Sequence, residues 1–241
     1  MAPGPAAAAA VPLMIMQRSI AGILLAAGAG SRLGQPKATV EFGGEPLARR
    51  GVALLRAGGA GPIVVVTGAV GVDMPGVLIV HNPQWRGGMG SSLAVGLATV
   101  PDSCDAAVVA LVDQPLVGPE AVRRLISAYR AGASVVVAAY DGAPRNPVLL
   151  PRECWPEVTA LAVGDAGARP FLRAHPELVT TVECGDTGRP DDVDTRADLQ
   201  RIASLASSGE ASAAGASSGG ASSGGASAGG ASTGGASPGQ A

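Results

Sequence analysis

One junction constrains the fold of this chain more than any other feature: the apolar run 20–26 opens directly into a glycine-rich stretch. Seven residues without a polar side chain read as a strand buried on both faces, the kind found in parallel sheets covered by helices. Further short apolar runs follow at 63–66, 77–80, 106–112 and 134–139, with a late one at 178–182. Segments that read as helices lie among them. Residues 45–57 put Leu47, Val52, Leu54 and Leu55 on one side and Arg49, Arg50 and Arg56 on the other. Residues 91–99 follow a glycine turn, 119–130 begin with a proline suited to a first helical turn, and 195–205 close the series. Strands alternating with helices predict a single Rossmann-like, doubly wound α/β domain with a mostly parallel sheet. Ligands of such sheets bind at the carboxyl ends of the strands, where the polar motifs of this chain fall.

The domain is expected over residues 19–205, enough chain for one sizeable core. Residues 1–18 are dominated by Ala and Pro, and no basic residue precedes the apolar stretch 11–16, so they read as a disordered extension and not as a secretory signal. Residues 206–241 carry a Gly/Ser/Ala repeat without charge after Glu210 and read as a flexible tail. A net charge of −2 gives no basic surface for nucleic acid. No apolar run reaches bilayer length. Cys104, Cys154 and Cys184 lack metal-like spacing and read as reduced thiols in a cytoplasmic protein. His81 and His175 form no cluster, which argues against a zinc site or a histidine-based triad.

The glycine-rich stretch reads LLAAGAGSRLGQPK from Leu24. Gly28, Gly30 and Gly34 allow a tight turn whose N–H groups can face an anion. Arg32 and Lys37 add two cations, and Lys37 is the single lysine among seventeen basic residues. Pro36 restricts Gln35 to extended conformations and fixes how Lys37 leaves the turn. The spacing fits neither a P-loop, which places Lys after Gly, nor the dinucleotide fingerprint, whose last glycine is replaced by Leu33. Two cations suit a triphosphate. Asp113 ends the run 106–112 and Asp194 lies in the sequence DVDT. Carboxylates there could hold Mg²⁺, which takes one or two acids together with substrate phosphates. Other roles are open to both: a turn for Asp113, a helix cap for Asp194. Asp191 and Asp192 read as solvated neighbours. The segment GGMGSS, from Gly87, can offer N–H groups to a base or ribose at a helix start, or be an ordinary cap by Ser91 or Ser92.

These residues resemble the signature of the MobA-like nucleotidyltransferases, LAAGxGSRxGxPK. NPQWRGGMGSSLAVGL, LVDQP, GAPRNPVLL, GDAGAR and DVDT follow in order, so the resemblance spans about residues 19–200 and points to the molybdenum cofactor cytidylyltransferase branch. It implies the sheet of nucleotide-diphospho-sugar transferases. It implies nucleotide contacts from Leu25, Ala26, Ala27, Gly28, Gly30, Ser31, Arg32, Lys37, Thr67, Gly90, Ser91, Ser92 and Gln114. Catalytic roles go to Arg32, Lys37 and Asp113, and Mg²⁺ binding to Asp113 and Asp194. Arg145, Asn146, Asp165 and Arg169 would approach the acceptor, with Asn146 standing where many relatives carry His. Ala27 and Gln114 match members that use CTP. The implied reaction moves CMP from CTP to the phosphate of molybdopterin, for delivery to a molybdenum hydroxylase. Transfer to a sugar phosphate or phospho-acid, and a non-catalytic carrier of cofactor or nucleotide, remain alternatives; a dehydrogenase is disfavoured by the failed fingerprint.

Overall fold

The computed structural model describes residues 19–216. The chain divides into two units, Met1–Ser204 and Leu205–Ala241, and the first holds both sheets. In chain order the strands are β1 (Ser19–Ala26), β2 (Glu41–Phe42), β3 (Glu45–Pro46), β4 (Ile63–Thr67), β5 (Leu78–His81), β6 (Cys104–Leu111), β7 (Val135–Tyr140), β8 (Ala143–Pro151) and β9 (Val179–Glu183). The helices are α1 (Leu47–Ala57), α2 (Met89–Thr99), α3 (Pro119–Arg130), α4 (Trp155–Leu161), α5 (Arg169–Ala174) and α6 (Arg196–Ala216). Seven strands form one sheet in the order β5-β4-β1-β6-β8-β7-β9, while β2 and β3 pair as a small hairpin. Every pairing in the large sheet is parallel except those of β8, which runs antiparallel to both β6 and β7.

Alternation along β1 assigns helices to the two faces. Leu24 points to α1, where a methyl group on Gly51 would come within 2.5 Å of Leu24 Cδ1. Ile23 points the other way, to α2, where a methyl group on Gly96 would meet Ile23 Cγ2 at 2.8 Å. Small residues at both contacts let each helix backbone lie close on the sheet. Val122 of α3 packs on Gly58 at the end of α1, so these two helices share a face. The opposite core joins Leu93 and Leu97 of α2 to Trp155, Val158 and Phe171 of α4 and α5. Both faces of the sheet are thus covered, which is why the stretches 20–26 of β1, 63–66 of β4 and 106–111 of β6 are apolar without interruption.

β8 departs from expectation. The apolar runs predict no strand between residues 139 and 178, yet β8 lies there and carries Pro144, Pro147 and Pro151, which cannot donate to a sheet ladder. The structure keeps the strand by placing them where no donor is needed. Pro144 and Pro151 lie near its two ends, and the register skips from Val137↔Val148 to Ala138↔Arg145, so Asn146 and Pro147 bulge out of the ladder. A two-residue turn, Asp141-Gly142, with φ of 52° and 73°, joins β7 to β8. Glu183 closes it by accepting the N–H groups of Asp141 (3.2 Å) and Gly142 (3.0 Å). Smaller differences occur elsewhere. Glu45 and Pro46 belong to the hairpin and not to α1, and α6 continues past residue 205, where the domain was expected to end. The expectations for 1–18 and 217–241 lie outside the described residues. The three cysteines are free and buried, and no helix among the described residues is long and apolar enough to cross a membrane.

Two measurements test this architecture. Leu149 of β8 is fully buried, so Leu149→Ala should lower the urea-unfolding free energy by about 2–5 kcal/mol; a surface segment would lose under about 0.5 kcal/mol. His175, after α5, contacts Glu157 of α4 through Nε2 (2.7 Å) and Glu177 through Nδ1 (3.3 Å). The hydrogen bond to Glu157, followed by that to Glu177, holds its pKa above the ordinary 6.5. Its contribution is therefore complete below pH 6.5 and is lost as pH rises through the folded value. His175→Gln should remove that alkaline-side decline from a plot of melting temperature against pH.

Candidate active site

β1 and β6 are neighbours, yet the chain leaves β1 towards β4 and β5 before returning to β6 on the other side. This reversal of strand order opens a crevice at the carboxyl ends of β1 and β6. The glycine-rich loop follows β1 and Asp113 follows β6 into that crevice. The loop closes on itself: the N–H groups of Leu33 (2.8 Å) and Gly34 (2.9 Å) donate to the Gly30 carbonyl, and that of Lys37 (3.3 Å) to Gly28. Gly30 holds φ +59°, and a side chain there would run into the Gln35 carbonyl, so only glycine permits the closure. Leu33 anchors the loop in the core. Lys37 leaves the loop with its stem along Gly28, whose added methyl would lie 3.9 Å from Lys37 Cδ.

The Lys37 ammonium donates to Asp113 Oδ2 and to Asp194 Oδ1, each at 2.6 Å. Arg32 Nη2 donates to Asp194 Oδ2 at 3.0 Å. Lys37 and Asp113 are mostly buried, with side chains 16% and 17% exposed, so the pair is far less screened than a surface ion pair. Burial alone would lower the Lys37 pKa. Asp113 and then Asp194 more than offset this and hold it above 10.5. The hydrogen bond from Lys37 in turn keeps the Asp194 carboxyl below its ordinary 3.8.

Asp194 arrives from the far end of the chain because the preceding segment docks beside β6. Arg189 N–H donates to the Leu116 carbonyl (2.9 Å), Val193 N–H to the Asp113 carbonyl (2.8 Å), and Gln114 Nε2 to the Pro190 carbonyl (3.3 Å). The helix-cap role that the sequence left open for Asp194 is taken by Thr195. Thr195 Oγ1 accepts the Asp198 N–H (3.1 Å) and Asp198 Oδ2 accepts the Thr195 N–H (2.9 Å), a reciprocal capping box. Asp194 is thereby released to face the crevice. Asp191 is not a solvated neighbour: it is mostly buried and accepts from Arg189 and Arg201, both at 2.8 Å. Asp192 belongs to the site. The residue is exposed, as the sequence predicts, yet its Oδ1 accepts from Gln114 Nε2 at 3.0 Å, and partial desolvation followed by the Asp113 charge pushes its pKa above 3.8.

Two cavities meet at Lys37 and Asp113. The first, 450 Å³, is bounded by Leu25, Ala27, Gly28, Ser31 and Ser92, with Trp85, Arg86, Gly88 and Met89 opposite. The second, 680 Å³, holds Arg32, Gln114, Asp192 and Asp194 and the acceptor candidates Arg145, Asn146 and Arg169. Asp165 and Met89 border both. Of the other sequence candidates, Ala26, Gly30, Thr67, Gly90 and Ser91 border neither. Ala26 is packed in the core, and the buried Thr67 hydroxyl donates to the Val80 carbonyl. Gly90 abuts the Ala162 carbonyl, and the Ser91 hydroxyl donates to the Gly88 carbonyl at 2.9 Å. Sequence reasoning passed over Trp85, Arg86, Met89, Asp192 and Asn82. Asn82 is buried and donates to the hydroxyls of Ser91 (2.9 Å) and Ser92 (3.0 Å), while its Oδ1 accepts from Gln84 N–H (2.9 Å). WRGGM, lying inside a quoted motif, was the available signal for three of them.

The acids can accommodate a divalent metal in one respect: Asp113 Oδ1 is buried with no hydrogen-bond partner. Among the described residues no group of three His, Cys, Asp or Glu side chains is arranged to hold an ion unaided. The donor set therefore suits Mg²⁺, which completes its shell with substrate phosphates and water, better than a fully protein-bound metal.

Known proteins resemble this chain in sequence and fold. The family model of the MobA-like NTP transferase domain matches residues 22–179. Nicotine blue oxidoreductase of Paenarthrobacter nicotinovorans is 36% identical over 197 residues, covering 76% of this chain and 96% of that protein. The crystal structure of the Rv0371c homologue from Mycobacterium sp. strain JC1 is 28% identical, covers 77% of this chain and 96% of its own, and superposes with a TM-score of 0.69. Rv0371c of Mycobacterium tuberculosis, in complex with manganese, is 26% identical, with coverage of 77% and 98% and a TM-score of 0.61. A loop that closes on its own carbonyls and sends one lysine to two acids, within a domain matched across most of its length, makes this chain a member of the MobA-like NTP transferase family.

Proposed function

We propose that the protein transfers CMP from CTP to the terminal phosphate of molybdopterin, or of its molybdenum-loaded form, and releases pyrophosphate. The observation that carries nucleotidyl transfer is the meeting of two cavities at Lys37 and Asp113. A triphosphate in the smaller one and a phosphorylated acceptor in the larger would bring their reacting atoms to that junction. An acceptor phosphate oxygen attacks the α-phosphorus, a new P–O bond forms, and the bond to the bridging oxygen of the leaving pyrophosphate breaks. A phosphate monoester is largely dianionic at neutral pH and needs no strong general base. Alignment and charge neutralisation are then the main demands on the protein. Lys37 and Arg32 neutralise the polyphosphate, and Arg145 and Arg169 hold the acceptor phosphate. Asp113 and Asp194 would hold Mg²⁺, which offsets negative charge on the phosphates. The manganese bound to the Rv0371c relative supports a divalent ion in this family. CTP is supported by the likeness of Ala27 and Gln114 to cytidylyltransferases, and the pterin acceptor by the motif set that shares that likeness. A molybdenum hydroxylase would be the recipient of the product, and the cytoplasm the compartment.

A relative named an oxidoreductase makes reduction the competing activity to exclude. The deciding experiment incubates the protein and Mg²⁺ with each NTP in turn, with molybdopterin, a sugar phosphate or a phospho-acid, and follows pyrophosphate. Parallel samples follow NAD(P)H oxidation. CTP with molybdopterin should release pyrophosphate fastest. NTP binding without pyrophosphate from any acceptor would favour the carrier, and turnover of NAD(P)H alone would refute transfer.

Lys37→Ala should reduce kcat/KM by at least about 100-fold, the scale for losing one group that stabilises transition-state charge. The same variant should bind Mn²⁺ more tightly by calorimetry, because the ammonium no longer competes for Asp113 and Asp194. Unchanged turnover, or weaker metal binding, would contradict the assignment. The raised pKa of Lys37 and the lowered pKa of Asp194 keep both charged across the neutral range. The rate should therefore climb with the second ionisation of the acceptor phosphate, near about pH 6, and stay level into the alkaline range. A second inflection between neutrality and pH 9 would point to a titrating base.

A further inference from the structure

Residues 162–167 form a loop that belongs, by sequence, to the acceptor side of the crevice. Its contacts tie it to the nucleotide side. α2 begins at Met89, and the residue in the cap position is Gly88, which has no side-chain oxygen to offer. No acidic residue lies in the first turn of α2. The Met89 N–H instead donates to Asp165 Oδ1 at 3.2 Å, from a residue 76 positions away. Among the described residues this is the one polar tie from the loop to α2.

Three glycines make the fit tight. Gly88, at φ +102°, lies so close to the backbone of Gly164 that a side chain there would overlap it. A methyl group on Gly90 would overlap the Ala162 carbonyl. Gly167 lies under the thioether of Met89, where an added methyl would be 3.0 Å from Sδ. The backbone hydrogen bonds of the loop stay local, from Ala162 N–H to Val158 and from Ala166 N–H to Val163. The outer side of the loop is open to solvent, with Val163 75% exposed. The loop is therefore seated by the α2 start more than by its own neighbours. Asp165 and Met89 also border both cavities, and Arg169 follows directly.

We propose that this loop couples the two cavities, with Asp165 as a positioning residue that seats the nucleotide-facing start of α2 from the acceptor side. The inference rests on the nucleotidyl-transfer reading. An acceptor held by Arg169 restrains the loop, the restrained loop fixes Met89 and Ser92, and the nucleotide is held more tightly. By linkage the nucleotide strengthens acceptor binding by the same factor.

The test is nucleotide binding without acceptor. Trp85 borders the nucleotide cavity and reports occupancy through its fluorescence. Each NTP is titrated, with Mg²⁺, into the wild type, Asp165→Ala and Asp165→Asn. Asp165 is exposed and outside the core, so circular dichroism should show both variants folded, with Asp165→Asn melting as the wild type and Asp165→Ala about 2–4 °C lower, the scale of losing one cap. For the tightest-binding NTP, Asp165→Ala should raise Kd about five- to tenfold, the scale of losing a helix cap, and Asp165→Asn should stay within about twofold, because Asn caps as well as Asp. An Asp165 that only touches the acceptor would leave Kd unchanged in both variants, and that result overturns the coupling alone. If the wild type binds no NTP, the transfer reading falls and the coupling falls with it.

Discussion

The structure of the crevice depends on one interaction: a single ammonium group shared by two carboxylates that are distant in sequence. Removing charges from water is costly, and a mostly buried pair persists only where geometry and extra hydrogen bonds compensate. Here the compensation is short contacts from Lys37 to both acids and a further donor, Arg32, on the second. The balance is deliberately incomplete at Asp113, whose other oxygen is buried and unpartnered. A site satisfied by its own residues would gain little from a ligand. This one holds a cation and an orphan acceptor in the same place. On the proposed reading, Asp113 and Asp194 would hold a divalent ion and Lys37 would serve the phosphates, and the ion pair with Lys37 keeps the two carboxylates together.

That meeting is a consequence of topology. The reversal of strand order between β1 and β6 leaves no helix directly over their carboxyl ends, so the loop after one strand faces the turn after the other. The third partner comes from residues 189–194, clipped beside the 113–116 segment by backbone hydrogen bonds. The capping box of Thr195 and Asp198 then frees Asp194 from structural duty. Glycines act at the opposite wall, where they let two loops approach closer than side chains would allow.

The parts of this arrangement that were legible in the sequence are those governed by local rules. A strand buried on both faces must be apolar throughout, so β1, β4, β6 and β7 were readable, and Pro119 marked the start of α3. β8 was not, because its three prolines interrupt any long apolar run, and the bulge that absorbs Asn146 and Pro147 shows only in the register. Yet the pair Asp141-Gly142 between two apolar runs is the strongest short-range hairpin signal a sequence offers, and it was there to be used. In the site, Lys37, Asp113 and Asp194 could be singled out by charge and position. Asp192 could not: it is exposed, as an acid beside an acid reads, and only its hydrogen bond from Gln114 ties it to the site. Asp165 was assigned to one substrate side by its motif, while its hydrogen bond to Met89 is visible only in three dimensions.

The partition of the crevice also bears on why a family with one loop can carry members of different names. The residues that would grip a triphosphate come from the β1 loop and the ends of β1 and β6, and any member that binds one needs them. The larger cavity is walled by β8, whose bulge presents Asn146 beside Arg145, and by the start of α5. A bulge can re-aim its side chains at little cost to the sheet, because it already stands outside the ladder. On the proposed reading, acceptor choice in this chain would be set at residues 144–147 and 164–169, apart from Lys37 and its two acids. Function in such a fold is set by the side chains lining the site and not by the architecture that carries them. For this chain, Arg145 and Arg169 line that cavity and, on the proposed reading, favour an acceptor that brings its own negative charge.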